Sequence, residues 1–102
     1  MECSVRWTGE GMSLIAETGS NRLVAMDGAP DGGGRNLAPR PMEMVLVGTG
    51  GCTAYDVVVI LKKSGQDVTG CEVKLSSERA GSHNVIAARG VTPRNPAMNA
   101  NV

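Results

Sequence analysis

The chain has 102 residues, of which 41% are hydrophobic and 20% charged, and its formal net charge is +0. This length allows one domain and excludes a multidomain enzyme, and the composition is that of a soluble globular protein. No apolar run approaches the ~20 residues of a membrane span, no basic arm suggests nucleic acid and no signal peptide is present, so we expect a cytoplasmic protein.

The first part of the chain predicts three short strands and a long loop. Residues 3–8 and 12–18 are β-prone and flank a glycine-bearing turn, which predicts a hairpin, and residues 22–26 predict a third strand. Residues 27–40 contain four glycines and two prolines without periodicity, which predicts an exposed loop. Within this loop, residues 31–35 are compatible with an amide nest for an anion, but a flexible connection fits their composition better.

A long helix is predicted for residues 41–64. Pro41 suits the first helical position, and Glu43 lies in the first turn, where the helix dipole favours an anion. Apolar residues then continue until two lysines and Gly65 end the segment. Because the helix is apolar on most faces, we expect it to be buried on most faces.

The last part of the chain predicts one strand and an irregular tail. Residues 68–79 alternate, with Cys71, Val73 and Leu75 facing inward. Residues 80–102 contain no acidic residue and no sustained period, so apart from a brief regular run at residues 84–88 we expect them to be irregular. The predicted fold class is therefore α+β, with N-terminal antiparallel strands, a long central helix that carries Cys52, a further strand and an irregular C-terminal tail.

The centre of the predicted helix contains the most informative local sequence, GTGGC at residues 48–52. Three glycines in a helix cost about 1 kcal/mol each relative to alanine, which requires an explanation. Either another helix or a substrate approaches the backbone closely, or the helix breaks and places Cys52 at a new N-terminus that favours the thiolate. Asp56, four residues later, would disfavour that thiolate, and the simpler alternative is that Cys52 is a small buried hydrophobe.

Other candidate sites give weaker signals. The GTG run lacks the third glycine of a dinucleotide fingerprint, since Thr53 stands there, so we expect no cofactor. His83 is the only histidine, which excludes a multi-histidine metal site, and we expect it on the surface. The three cysteines are expected to be free thiols, with Cys3 and Cys71 buried and inert.

Three segments carry a resemblance to a known family. They read NLAPRPMEM at residues 36–44, GGCTAYDVV at 50–58 and CEVKLSSER at 71–79. These segments resemble the OsmC/Ohr family, and within it the YhfA-like branch, over residues 1–79. The resemblance implies an α+β fold in which two chains intertwine around paired central helices, with active sites at the dimer interface.

The resemblance also implies a reaction, which is the reduction of organic hydroperoxides. A helix thiolate attacks the O–O bond, a second cysteine resolves the resulting sulfenic acid, and an arginine and a glutamate organise the thiolate. Cys52 matches the attacking position, and Glu43 lies one place after the family's glutamate, where this chain has Met42. The family's loop arginine has no direct counterpart, although three arginines are available: Arg6, Arg35 and Arg40.

The composition changes abruptly after Arg79, where the family continues to a second long helix with the resolving cysteine. We therefore expect an OsmC-like portion at residues 1–79 and a tail at residues 80–102 that derives from truncation or a frame shift. Comparison of the other reading frames of the coding DNA tests this expectation. Without a resolving cysteine, turnover would require an external thiol, and loss of the second helix is expected to impair it.

Two functions follow as hypotheses. The first is thiol-dependent reduction of small apolar hydroperoxides through Cys52, with no metal, cofactor, nucleic acid or membrane partner. The alternative is a non-catalytic binding or structural protein that retains the OsmC scaffold. A thiol that reacts no faster than free cysteine would favour the alternative.

The burial pattern predicts a homodimer independently of the resemblance. Four short strands cannot cover a helix that is apolar on nearly all faces, so a second copy is expected to cover the rest. The three helix glycines would permit a close crossing of the two helices. The expected interface includes Val47, Gly51, Tyr55 and Val58.

Overall fold

The computed structural model describes residues 1–80 and 83–95, and the chain divides into two compact units, residues 1–45 and 46–102. The α+β class is confirmed, since antiparallel strands accompany one long helix. The element bounds are β1 Cys3–Trp7, β2 Leu14–Thr18, β3 Leu23–Met26, α1 Pro41–Lys63, β4 Gly70–Ala80 and β5 His83–Arg94.

The first unit contains an antiparallel sheet in the order β1-β2-β3. The register pairs Val5 with Ala16, and Ala16 with Val24, which places these three apolar side chains on one face. Ala16 is buried there, whereas every residue of the edge strand β1 is exposed. The predicted hairpin and third strand are thus confirmed.

Helix α1 is continuous, as its residue pattern predicts, and a Schellman motif ends it. The amide of Gly65 donates to the carbonyl of Lys62, and the amide of Gln66 donates to that of Leu61, each over 3.0 Å. Gly65 has φ +80°, a left-handed conformation that glycine adopts without a steric penalty. The predicted stop signal at Gly65 is therefore confirmed.

The strands of this chain leave α1 largely uncovered, with Gly50 as its only buried residue, so the cover expected from a second helix stays a prediction. A two-stranded sheet offers one face, which is too little cover for a helix that is apolar all round.

The expectation that no apolar run is long enough to span a membrane needs correction. By length and composition alone α1 is long and apolar enough to do so, a test that the core helix of a soluble protein also passes.

The second unit contains the antiparallel pair β4 and β5, which join along their whole length from Gly70 opposite Arg94 to Ala80 opposite His83. Alternation in β4 is confirmed, since Cys71, Val73 and Leu75 are less exposed than the residues on either side of Val73. The sequence predicts an irregular tail from residue 80, but residues 83–94 form a strand.

Backbone pairing explains this difference, because ladder hydrogen bonds do not require a hydrophobic period. The end of β5 is also held by a side chain: Asn95, which is buried, donates through Nδ2 to Oε1 of Gln66 over 2.8 Å. The expected surface position of the His83 side chain and the expectations for residues 96–102 lie outside the described residues.

Candidate functional site

The thiol of Cys52 lies midway along α1 and is exposed. It is therefore not a buried hydrophobe. Because the helix runs without interruption through the glycine cluster, the alternative of a helix break before Cys52 is excluded. A cysteine in a helix interior has no free amides beside it, so the thiol gains no contact with a helix N-terminus.

Close approach explains one of the three helix glycines. A Cβ built on Gly50 would lie 2.7 Å from Cδ1 of Leu75 in β4, so this position accepts no larger residue without movement of the leucine. Gly48 and Gly51 have open space around them. The approaching element is a strand of the same unit, whereas the sequence suggested a helix or a substrate.

The surface around Cys52 is open, and its neighbours on the helix face before it are Gly48 and Thr49. Helical side chains lean toward the N-terminus, so the thiol lies over the turn that contains Gly48, where nothing lies within 4 Å of a built Cβ. Tyr55, one turn later, is 71% exposed. Asp56 occupies the other neighbouring position, four residues after the cysteine.

An open groove of about 320 Å³ lies between α1 and β4 within the second unit. It is lined by apolar residues and glycines, which are Leu46, Val47, Gly50, Gly51, Ala54, Val73 and Leu75. Neither Cys52 nor the residues three or four positions from it line this groove, so the groove and the thiol lie on different faces of the helix.

Glu43 belongs to the first unit and stabilises the start of α1. Its Oε1 accepts a hydrogen bond of 2.9 Å from the backbone amide of Arg40, the residue before Pro41. This bond is half of a capping box, in which the third helical residue bonds back to the N-cap amide. The role that the resemblance implies for Glu43, organising the thiolate, stays a prediction.

The other candidate residues from the sequence are two further cysteines and the available arginines. Cys3 is exposed, against expectation, because no strand of the described residues pairs with the outer side of the edge strand β1. Cys71 is half-buried. Of the three available arginines, Arg35 lies at the β1–β2 turn, where its Nη1 is 3.6 Å from Oε2 of Glu10. Within residues 1–80 and 83–95, no group of three metal-ligating side chains occurs.

Sequence reasoning missed Asp27, which directly follows β3 and is only 3% exposed. Its carboxylate accepts hydrogen bonds from the backbone amides of Gly28 at 2.7 Å, Leu37 at 3.2 Å and Arg35 at 3.3 Å. These bonds, above all that from Gly28, hold the pKa of the Asp27 carboxyl below its ordinary value of 3.8, although burial acts to raise it. The sequence feature that could have pointed to Asp27 is its position directly before a glycine-rich loop, because aspartate side chains often form turns there.

Comparison with known proteins identifies the family. A family model described as OsmC-like protein matches residues 32–94, which include Cys52, β4 and β5. The chain belongs to the OsmC-like family. The match ends at residue 94, and the assignment of residues 80–102 to a tail of truncated or frame-shifted origin stays a prediction.

Individual relatives support the same assignment. The proteins named YhfA from Escherichia coli K12, Escherichia coli O157:H7 and Shigella flexneri are each 51% identical to the chain over 79 residues. This alignment covers 78% of the chain and 55% of each relative. A solved structure described only as structural genomics superposes with a TM-score of 0.67 at 49% identity, covering 78% of the chain and 56% of its own length. The chain thus spans about half the length of the relatives it matches.

Proposed function

We propose that this OsmC-like protein reduces organic hydroperoxides, with Cys52 as the attacking thiolate and an external thiol as the reductant. The observation that carries the proposal is the exposed thiol of Cys52, at the position where the resemblance places the attacking cysteine. The bare turn at Gly48 leaves the sulfur accessible to a substrate.

The reaction proceeds in two stages. The Cys52 thiolate attacks the terminal peroxide oxygen, the O–O bond breaks, and the departing alkoxide takes a proton to become the alcohol. The cysteine is thereby oxidised to a sulfenic acid, and the peroxide is reduced. An external thiol then displaces water to form a mixed disulfide, and a second external thiol releases Cys52 and leaves as the oxidised disulfide.

Apolar, uncharged hydroperoxides are the proposed substrate class. Tyr55 lies one turn after the thiol on the same face of α1 and is 71% exposed, which offers an aromatic surface to an alkyl or aryl group. Asp56 adds a carboxylate one turn after the thiol, and this charge disfavours an anionic substrate there.

Peroxide consumption with defined cysteine variants tests the proposal. With cumene hydroperoxide and dithiothreitol, we expect Cys52→Ser to abolish turnover, whereas the control variants Cys3→Ser and Cys71→Ser retain it. A sulfenate-specific probe should label Cys52 before the other two cysteines. Equal labelling of all three thiols, or equal turnover by all three variants, would contradict the proposed role of Cys52.

The alternative is a non-catalytic binding or structural protein that retains the OsmC scaffold. It is favoured by the hydrogen bond of Glu43, whose carboxylate caps the helix, and by Met42 at the family's glutamate position. Thiol reactivity distinguishes the two functions. If Cys52 reacts with cumene hydroperoxide no faster than free cysteine does, the binding function is the better assignment.

A further inference from the structure

Residues 28–37 of the first unit form a compact piece of backbone with its own hydrogen bonds. We call this segment the strap. The amides of Gly32 and Gly34 both donate to the carbonyl of Ala29 over 3.0 Å, and the amide of Asn36 donates to that of Gly28 over 3.2 Å. The backbone of Gly34 lies directly against Gly28, and a Cβ at Gly34 would overlap it. The strap can therefore keep its shape without help from the sheet.

Asp27 provides the polar connection between the strap and the strand before it. Oδ1 of Asp27 accepts from the amides of Gly28 and Arg35, near the two ends of the strap, and Oδ2 accepts from the amide of Leu37. The backbone amide of Asp27 donates to the carbonyl of Pro39 over 2.9 Å. In the described part of the first unit, no hydrogen bond joins the strap to β1, β2 or β3.

The contacts of the strap with the β1–β2 turn are weaker. A Cβ built on Gly28 would lie 3.3 Å from Cβ of Met12, and one built on Gly33 would lie 3.8 Å from its Cγ, so the strap backbone packs against this side chain. The ion pair between Arg35 and Glu10 spans 3.6 Å, and its side chains are 57% and 74% exposed. Exposed pairs of this kind contribute little to stability. The buried carboxylate of Asp27 is therefore the main anchor of the strap.

We propose that the strap opens and closes as one body about the Asp27 carboxylate, while the three-stranded sheet stays folded. In the closed form, the strap places the guanidinium of Arg35 at Glu10 in the β1–β2 turn. Opening breaks the three bonds to Asp27 and withdraws the guanidinium, but leaves the internal bonds of the strap intact. Asp27 thus controls whether a positive charge is present at this turn.

Amide hydrogen exchange on the full chain tests the proposal. Asp27→Asn replaces one acceptor oxygen with a donor, so we expect exchange at Gly28, Arg35 and Leu37 to accelerate at least about tenfold. Protection within β2 and β3 should change by less than about twofold. The control Asp31→Asn alters an exposed aspartate of the same strap that makes none of these bonds, and it should change neither set.

Two outcomes would overturn the proposal: unchanged exchange in the strap of the Asp27 variant, or equal acceleration in the strap and the sheet. If that variant fails to fold, native-state exchange of the unaltered protein in rising denaturant decides instead. The amides of Gly28, Arg35 and Leu37 should then exchange through an opening that depends weakly on denaturant, and β2 amides through one that depends strongly on it. A single shared dependence would show that the strap and the sheet open together.

Discussion

At the scale of single residues, Glu43 has an observed structural role and a predicted chemical role, and a single substitution can distinguish them. Its carboxylate caps α1 through the amide of Arg40, and the same residue was predicted to organise the thiolate. Glutamine at this position keeps the capping bond and removes the charge. The two roles therefore respond differently to one substitution.

We expect Glu43→Gln to keep the stability of the protein within about 0.5 kcal/mol and to lower cumene hydroperoxide turnover at least about tenfold. Urea denaturation and a peroxide assay measure the two effects. Glu43→Ala is the control for capping, and it should destabilise the protein by about 1 kcal/mol. Full turnover by the glutamine variant would restrict Glu43 to its capping role.

At the scale of elements, the packing of α1 against β4 depends on Gly50. The helix carries glycine at three neighbouring positions, but only at Gly50 does another side chain occupy the space of a Cβ. Leu75, which makes this contact, directly follows the β-bulge between Lys74 and Leu75. The absence of a side chain at Gly50 leaves room for Leu75 against the helix backbone.

Alanine substitutions should therefore have different effects along the helix. Gly48→Ala gains helix propensity in open space, and we expect it to stabilise the protein by up to about 1 kcal/mol. Gly50→Ala gains the same propensity but displaces Leu75, so its free energy of unfolding should be about 1–2 kcal/mol below that of Gly48→Ala. Thermal or urea unfolding compares the two.

A double variant checks the cause of this difference. Leu75→Ala removes the side chain that the new methyl group would meet, so Gly50→Ala should be less harmful in that background. If Gly48→Ala and Gly50→Ala have equal stability in the original background, the contact with Leu75 does not lower the stability of Gly50→Ala.

At the scale of the whole molecule, the exposed apolar surface of α1 requires an explanation. Tyr55, Ile60 and Val47 are 71%, 62% and 61% exposed, which is unusual for large apolar side chains along one helix of a soluble domain. A second copy of the chain would cover them without a membrane. We therefore retain the homodimer as a proposal, with the interface at Val47, Gly51, Tyr55 and Val58.

Sedimentation at micromolar concentration tests the dimer. A leucine at Gly51 would obstruct a close helix crossing, so we expect Gly51→Leu to shift the protein toward monomer and to lower its stability. The control Gly32→Leu adds the same side chain at an open position in the strap and should leave the dimer intact. A folded monomer whose size and stability are unaffected by Gly51→Leu would contradict the proposal.

Local signals in the sequence determined most of the elements. The glycine-bearing turn before β2, the proline and glutamate at the start of α1, and Gly65 at its end each act within a few residues, so the sequence alone locates the hairpin and the helix. The family segments likewise singled out Cys52, because the Gly-Gly-Cys run lies within one turn of helix.

Only the tertiary structure decided the features that depend on distant residues. Strand β5 forms because β4 supplies the backbone partners that its sequence pattern does not reveal, and Gly50 is needed because Leu75 lies against it. Asp27 becomes an anchor because the chain returns eight and ten residues later to donate two further amides. Such contacts are made by folding, since a residue pattern contains no information about which distant groups will meet.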